Sequence, residues 1–257
     1  MNTPKAHSEL SASASERWLN CAPSVALIKE APPQVDSKWS IEGTLAHHHL
    51  EQRLLAIWYG DKYKMPKDLA ANPDMQAAIE VAVEYVTSIW NEKTQKLFIE
   101  EKVDLTFIDP VMFGTGDVFI VEPGKVLYAI DYKHGAGKAV DVYTEGAFAR
   151  DHNTQLVYYA LAMAHRYDYN FKHVVLAIVQ PRAQHSKGPI RTVKLTMTEL
   201  KKYIYIFTKG VERVRRGNGR LNAGPWCYWC PAREHNCPLQ DNLKYEKNRE
   251  LLNSFDE

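Results

Sequence analysis

The sequence predicts an α/β fold in which helices flank a small mixed β-sheet. Apolar residues recur at helical spacing in five segments, at about 11–20, 44–58, 74–96, 153–167 and 198–216. Between these segments, alternating or short apolar runs rich in strand-forming residues occupy 97–107, 118–121, 126–132, 174–179 and 192–197. Strands and helices distributed in this way predict one sheet with helices packed on it.

The composition is that of an ordinary globular protein. The chain has 257 residues, of which 45% are hydrophobic and 25% charged, and its formal net charge is +1. This length suffices for one large domain with a sizeable core. The near-zero net charge requires any nucleic-acid-binding surface to be local. The sequence has no long apolar span and no apolar signal core after Met1, so we expect a cytoplasmic protein without a membrane partner.

A pair of charged residues follows a short apolar strand. Asp131 and Lys133 come after the apolar run 126–130, and residues two apart on a strand face the same side. The segment Glu122-Pro-Gly-Lys125 fits a type II turn and predicts a hairpin that brings Asp117 close to Asp131. Carboxylates suit Mg²⁺, and a nearby lysine can orient a water and offset charge on a phosphate. The alternative is a surface Asp and Lys two apart by chance, but the position after an apolar strand favours a site.

The predicted helix at 44–58 carries a candidate nitrogen ligand. His47 and Glu51 are four residues apart and share a helix face. His47 could bind the same metal as the two aspartates, and Glu51 could support the site. The alternative is a packed or solvated histidine and a polar helix face.

The helix at 153–167 carries a second candidate pair. Gln155 and Tyr159 lie one helical turn apart and could bind a DNA phosphate or support the metal carboxylates. Taken alone, the pair is better explained as a core tyrosine beside a surface glutamine.

The cysteines form the most specific local pattern. Cys227, Cys230 and Cys237 follow the spacing Cys-x2-Cys-x6-Cys, and Cys21 is the only other cysteine. In a reducing cytosol such a set is more typical of a metal or cluster site than of disulfides. Three thiolates leave a site one ligand short, so we expect either Cys21 or, for zinc, His235 as the fourth ligand.

These residues form an ordered series. It runs Cys21, Gly43-Thr44-x2-His47, Asp117, Asp131-x-Lys133, Gln155-x3-Tyr159 and Cys227-x2-Cys230-x6-Cys237. The series resembles the RecB-like branch of the PD-(D/E)XK nuclease superfamily, in particular the iron–sulfur exonucleases of CRISPR adaptation and their phage-encoded relatives. Leu10-Ser-Ala-Ser with Trp18-Leu-x-Cys21-x-Pro23 is similar to the N-terminal signature of that branch.

The resemblance implies a single nuclease domain over 1–257 with a restriction-endonuclease-like core. The N- and C-terminal segments, 11–30 and 217–240, would join at a [4Fe–4S] cluster bound by all four cysteines. The implied catalytic set binds Mg²⁺ or Mn²⁺ through three residues and adds a catalytic lysine: His47, Asp117, Asp131 and Lys133. Gln155 and Tyr159 match the Gln-x3-Tyr motif of the branch.

We therefore expect a metal-dependent exonuclease that acts on single-stranded DNA or free DNA ends, in a bacterial cell or a phage-infected host. A second copy of the chain, or recombination and replication proteins, are the further partners considered. Four basic residues are candidates for the DNA path: Lys138, Arg150, Arg182 and Arg191. The alternatives are a non-catalytic DNA-binding accessory on the same fold and a zinc-binding interaction module.

Overall fold

The computed structural model describes residues 8–144 and 151–239. The helices of these two ranges are α1 Ser15–Asn20, α2 Ser24–Glu30, α3 Lys38–Tyr59, α4 Lys67–Ala70, α5 Pro73–Ile89, α6 Thr154–Arg166 and α7 Met197–Arg216. The strands are β1 Lys96–Asp104, β2 Phe113–Glu122, β3 Val126–Tyr132, β4 Tyr143–Thr144, β5 Asp151–His152, β6 His173–Val179 and β7 Ile190–Thr196. Two short 3₁₀ turns, Pro225–Cys227 and Pro231–Glu234, lie in the cysteine-rich segment.

The main sheet has five strands in the order β1-β2-β3-β6-β7. Strands β3 and β6 are parallel, and every other neighbouring pair is antiparallel. The parallel pair needs a crossover, which α6 supplies. The predicted α/β fold with a small mixed sheet flanked by helices is therefore confirmed.

Two apolar clusters cover the two faces of this sheet. On one face, α3 and α5 pack through residues such as Leu50, Leu54 and Ile79 against Ile120 and Ile130 of the sheet. On the opposite face, α1, α6 and α7 pack in a second cluster that includes Trp18, Leu161, Phe207, Phe119 and Leu127. Side chains of successive strand residues point to opposite faces of the sheet. The apolar residues next to Ile120 and Ile130 along their strands therefore belong to the cluster on the α6 face. Three layers result, and polar side chains gather where the central strands end.

Several predicted boundaries differ from those of the structure. Helix α3 begins at Lys38, earlier than the predicted start at 44, because the Ser37 side chain accepts a hydrogen bond from the Ser40 amide and caps the helix. The predicted helix at 11–20 is shorter in the structure, since α1 starts after Ala14, which makes no side-chain cap. Gly124 has φ 77° in the turn between β2 and β3, as the predicted type II turn requires.

The start of α6 is fixed by a strong N-cap. The Asn153 side chain accepts hydrogen bonds from the backbone amides of Gln155 and Leu156. Ten of the thirteen residues of α6 are buried, so the helix is held firmly against the sheet. This arrangement puts Gln155 beside the end of β3.

None of the described helices is long and apolar enough to span a bilayer.

Candidate metal centre

Three carboxylates belong to one row across the sheet. The pairing of Ile99 with Val118 and of Val118 with Ile130 makes Glu100, Asp117 and Asp131 the next residues opposite one another on β1, β2 and β3. Directly opposite residues share a face of the sheet, and like charges in that position destabilise it. A cation bound among them would remove that repulsion.

Asp117 also joins β2 to β3. Its Oδ2 accepts a hydrogen bond of 2.7 Å from the backbone N–H of Tyr132. The ladder between the two strands ends at Val118 and Ile130, so this side chain continues the contact by one residue. A Cβ at Gly116, the residue before Asp117, would lie 2.4 Å from the ring of Phe119. Glycine is therefore required beside the aspartate for the strand to keep this path.

Asp131, Lys133 and Gln155 interlock at the end of β3. Lys133 Nζ donates hydrogen bonds to Asp131 Oδ1 at 3.2 Å and to Gln155 Oε1 at 3.1 Å. Gln155 Nε2 in turn donates to Asp131 Oδ1 at 2.9 Å. The backbone amide of Lys133 donates to Val179 O at 2.8 Å, which ties the lysine to β6. The geometry of this triangle is therefore determined by two strands and one helix.

Asp131 has one carboxylate oxygen that forms no hydrogen bond. Its Oδ2 is buried and has no hydrogen-bond partner, although Lys133 Nζ lies 2.9 Å away without hydrogen-bond geometry. A buried carboxylate oxygen normally has a partner. A bound cation is the ligand that such an oxygen suits.

His47 reaches the carboxylates from α3. Its Nδ1 lies 3.5 Å from Asp117 Oδ1 and 3.6 Å from Glu100 Oε1. The ring packs edge-on against Tyr132 with centroids 5.5 Å apart, which orients it. Burial lowers the pKa of His47, but Asp117, Glu100 and the more distant Asp131 outweigh it and raise the pKa to about 9.

Glu100 is the site residue that sequence reasoning missed. In the described part of the chain, His47, Glu100 and Asp117 form a group of three ligand atoms that all lie within 4.8 Å of one another. Glu100 has φ 48°, in the left-handed region that few non-glycine residues adopt. The β1–β2 ladder is interrupted at this position, between the pairs formed by Ile99 and Glu101. Strained backbone of this kind is enriched at functional sites.

Burial and the neighbouring charges together determine the pKa values of Asp117 and Lys133. Burial raises the pKa of Asp117, and Asp131 raises it further, while His47 and Lys133 act in the opposite direction. For Lys133, burial lowers the pKa, but Asp131 and Asp117 outweigh it and the pKa is raised. Lys133 is therefore positively charged at neutral pH.

The other two predicted support residues occupy different surroundings. Tyr159 is buried one turn beyond Gln155, and burial followed by the charges of Asp131 and Asp117 raises its pKa. It therefore lies close to the carboxylates and stays protonated. Glu51 Oε2 instead lies 3.8 Å from Nδ1 of His48, an exposed residue of the same helix.

The predicted DNA path is partly wrong. Arg191 is 1% exposed and donates to the carbonyl of Val140 and to Gln180 Oε1, so it is a buried clamp rather than a DNA contact. Arg182 forms an ion pair with Glu42 at 2.7 Å. Lys138 is exposed, and Arg150 lies outside the described residues.

The four cysteines line one cavity although they come from the two ends of the chain. Cys21, at the end of α1, lies with Cys227, Cys230 and Cys237 around this cavity. All four are free thiols. Burial raises the pKa of the Cys227 and Cys230 thiols, and the neighbouring cysteines raise it further. His235, the alternative zinc ligand, is exposed and is not part of the cavity lining.

The comparison with known protein families gives one match that extends over almost the whole chain. A family model described as "Protein of unknown function (DUF2800)" matches residues 7–254. The chain belongs to this family. No curated protein gives a significant match.

Two solved structures are similar to this chain at very low sequence identity. A candidate exonuclease from Eubacterium rectale is 10% identical, with a TM-score of 0.49 over 92% of this chain and 93% of its own. The alkaline exonuclease LHK-Exo from Laribacter hongkongensis is 8% identical, with a TM-score of 0.28 over 78% of this chain and 95% of its own.

The candidate metal centre brings together several functional groups at the ends of neighbouring strands. The carboxylates and His47 offer oxygen and nitrogen ligands to a divalent cation. Lys133 adds a fixed positive charge with hydrogen-bond donors, and its position is set by Asp131 and Gln155. A cation and an ammonium group side by side are suited to a substrate that carries a phosphate.

Proposed function

We propose that this protein is a metal-dependent deoxyribonuclease, an exonuclease that hydrolyses phosphodiester bonds at the ends of single-stranded DNA. The observation that carries the proposal is the row of Glu100, Asp117 and Asp131 beside the Lys133–Gln155 pair. The resemblance of the ordered motifs to the RecB-like nucleases supplies the substrate class.

The residues present fit a hard divalent cation. Asp131 Oδ2 is buried without a hydrogen-bond partner, and His47, Glu100 and Asp117 bring their ligand atoms within 4.8 Å of one another. We assign Asp117, Asp131 and His47 as ligands of Mg²⁺ or Mn²⁺. When bound, the cation supplies positive charge to the scissile phosphate and lowers the pKa of a water.

The remaining residues hold and orient the reacting groups. Lys133 Nζ has three donors, and its contacts with Asp131 and Gln155 engage two of them. The third is available to a phosphate oxygen or to the attacking water. The amide oxygen of Gln155 accepts from Lys133, and its amide nitrogen donates to Asp131. We therefore assign Gln155 to positioning these two residues rather than to contacting DNA itself.

We further propose a [4Fe–4S] cluster at the cysteine cavity, where all four thiols come together. Four cysteine thiolates could hold either a tetrahedral zinc ion or a [4Fe–4S] cluster. The resemblance to the iron–sulfur exonucleases is what favours the cluster over a single zinc ion. Its role is structural, because it would tie the two ends of the chain together.

The decisive test is a nuclease assay on end-labelled single- and double-stranded DNA, with Mg²⁺, with Mn²⁺ and with a chelator. We expect cleavage of single strands from their ends, dependent on the metal, and cleavage at least about 100-fold slower by Lys133→Met. Lys125→Met is a matched control, since Lys125 lies at the other end of β3 in an ion pair with Glu122. DNA binding without cleavage under every metal condition would favour the non-catalytic accessory. Failure to bind DNA, together with bound zinc, would favour the interaction module.

The resemblance extends the proposal to the place of action. Free DNA ends in a bacterial cytoplasm or in a phage-infected host would be the substrate. A second copy of the chain, or a recombination or replication protein, would be the partner. Sedimentation of the purified protein with and without a DNA oligonucleotide would test the first of these partners.

A further inference from the structure

We propose that Arg17 and Ser24 donate hydrogen bonds to sulfur atoms of the centre bound by the four cysteines, and that these bonds set its reduction potential and its stability. The inference rests on the proposed iron–sulfur cluster and is independent of the proposed nuclease activity. It assigns a function to two polar side chains that lie far from the metal centre of the sheet.

Arg17 is directed at the cavity from α1. It lines the cavity with Cys21, Cys227 and Cys230, and its Nε is buried without a hydrogen-bond partner. A guanidinium offers five donors in a rigid plane, and a buried one is normally paired. Among the described residues, no carboxylate forms an ion pair with Arg17. Its partner is therefore expected inside the cavity.

Ser24 provides a second unpaired donor on the same wall. It is the first residue of α2, is 2% exposed and lines the cavity. Its Oγ, like Arg17 Nε, has no hydrogen-bond partner. Leaving one buried polar group unpaired costs free energy, and two unpaired groups facing one cavity indicate a ligand that accepts from both.

The electrostatics of the cavity agree with an anionic occupant. Burial lowers the pKa of Arg17, whereas Cys230, Cys21 and Cys227 raise it when they are deprotonated. A cluster held by four thiolates carries net negative charge, and reduction makes that charge larger. Sulfur atoms of the cluster and of its thiolates accept hydrogen bonds, and such bonds are among the determinants of cluster potential.

The sign of the effect follows from the charge. A hydrogen bond or a positive charge at the sulfur atoms stabilises the more negative, reduced state. Removal of either donor is therefore expected to shift the midpoint potential to a lower value. The same loss should expose the cluster to faster extraction, because two polar groups that fasten it to α1 and α2 would be gone.

The test uses the full chain purified anaerobically with its native metal content. Wild type is compared with Ser24→Ala, which removes one hydroxyl, and with Arg17→Met, which keeps much of the side-chain volume. Arg213→Met is the control, because Arg213 is an exposed arginine that donates to the carbonyl of Leu19 outside the cavity. The readouts are iron and sulfide content, the midpoint potential from a titration followed by visible absorbance and electron paramagnetic resonance, and the rate at which a chelator bleaches the visible band.

We expect lower potentials and faster bleaching in both cavity variants and wild-type behaviour in Arg213→Met. Wild-type potentials and bleaching rates in Ser24→Ala and Arg17→Met would overturn the inference while leaving the cluster in place. If Arg17→Met does not fold, the Ser24→Ala result alone decides. A wild-type protein without iron and sulfide would overturn the proposed cluster together with this inference, and the nuclease assay would show separately whether the proposed activity stands.

Discussion

Glu100 lies opposite Asp117 across the β1–β2 ladder, and the ladder is interrupted at this one position between Ile99 and Glu101. Glu100 has φ 48°, and its carboxylate points with that of Asp117 towards His47, 3.6 Å and 3.5 Å from Nδ1. Two carboxylates facing one another on strained backbone are unfavourable unless a cation lies between them. We therefore propose Glu100 as a further ligand of the cation assigned to His47, Asp117 and Asp131.

The first prediction is that Glu100→Gln weakens Mn²⁺ binding by at least about tenfold, the lower end of the loss seen when groups around a metal are removed. The matched control is Glu101→Gln, since Glu101 is the adjacent residue and pairs with Arg166 at 2.6 Å. Calorimetric titration of the two variants with Mn²⁺ measures the difference. Equal affinities in both variants would remove Glu100 from the ligand set.

The contrast between Glu100 and Glu101 shows what sequence alone could not supply. Both are glutamates on one strand, and a shift of one residue in register would exchange their faces. Asp131 and Lys133 were predictable because their spacing is local and follows an apolar run. Glu100 depends on the register with β2 and on an unusual φ, and neither leaves a signal in the chain.

The second prediction concerns Lys133. Lys133→Met should reduce cleavage by at least about 100-fold, the usual cost of removing one charge-stabilising donor from an active site. Metal binding should persist, because Asp117, Glu100 and His47 keep their positions without the lysine. Single-turnover cleavage and Mn²⁺ titration on the same preparation separate the two effects. A variant that cuts at the wild-type rate would show that the assignment of the catalytic lysine is wrong.

The third prediction is non-additivity of the two aspartates. Asp117→Asn and Asp131→Asn should each abolish metal-dependent cleavage, and the double variant should be no worse than either, since both carboxylates serve one site. Asp117→Asn should also weaken the end of β2, because the hydrogen bond from the Tyr132 amide would lose its charged acceptor. Hydrogen exchange at Tyr132 tests that part. Mild losses that simply add would contradict a shared cation.

The fourth prediction is a pH dependence that arises from His47. Its pKa is raised to about 9, above the ordinary 6.5, so in the ion-free protein its pairing with Asp117 and Glu100 stabilises the fold fully below pH 6.5. That contribution is lost as the pH rises through 9. The proton must leave before His47 can bind a cation, so Mn²⁺ affinity should increase with pH across the same window.

His47→Gln should flatten both pH profiles, whereas His48→Gln should not, because His48 is exposed on the same helix and faces Glu51. Melting of the ion-free protein and Mn²⁺ titration between pH 6 and 9.5 provide the two measurements. A wild-type affinity that does not change with pH would show that His47 is not a ligand.

The buried and exposed basic residues show a second limit of sequence reasoning. From the sequence, Arg191 is a candidate for the DNA path because of its positive charge alone. In the structure it lies under the chain that follows Lys133, where it donates to Val140 O, Gly188 O and Pro189 O. A buried arginine that satisfies backbone carbonyls cannot be distinguished by charge from one that meets a phosphate. The cysteines were more predictable, since three thiols leave a site one ligand short and Cys21 is one of the two residues considered for the fourth position.

The last prediction concerns the joining of the two ends of the chain at the cysteine cavity. Cys21 and Cys227 are some 200 residues apart in sequence and line the same cavity. A centre bound by both closes a very long loop and restricts the unfolded chain. A covalent closure of this length contributes on the order of 5 kcal/mol in the chain-entropy model. Such a loss would lower the Tm of a domain of this size by roughly 10–20 °C.

Cys21→Ala should therefore lose iron and sulfide and melt at a lower temperature, although Cys21 lies far from the metal centre. The control is wild type stripped of iron by a chelator, which should melt like the variant, because the stabilisation comes from the closed loop and not from the thiol itself. Cys21 also packs at the end of α1, so a variant that melts below the stripped wild type would report the lost packing separately. Unchanged iron content and unchanged melting in Cys21→Ala would show that the ends are not joined and would favour a local zinc site with His235 as its fourth ligand.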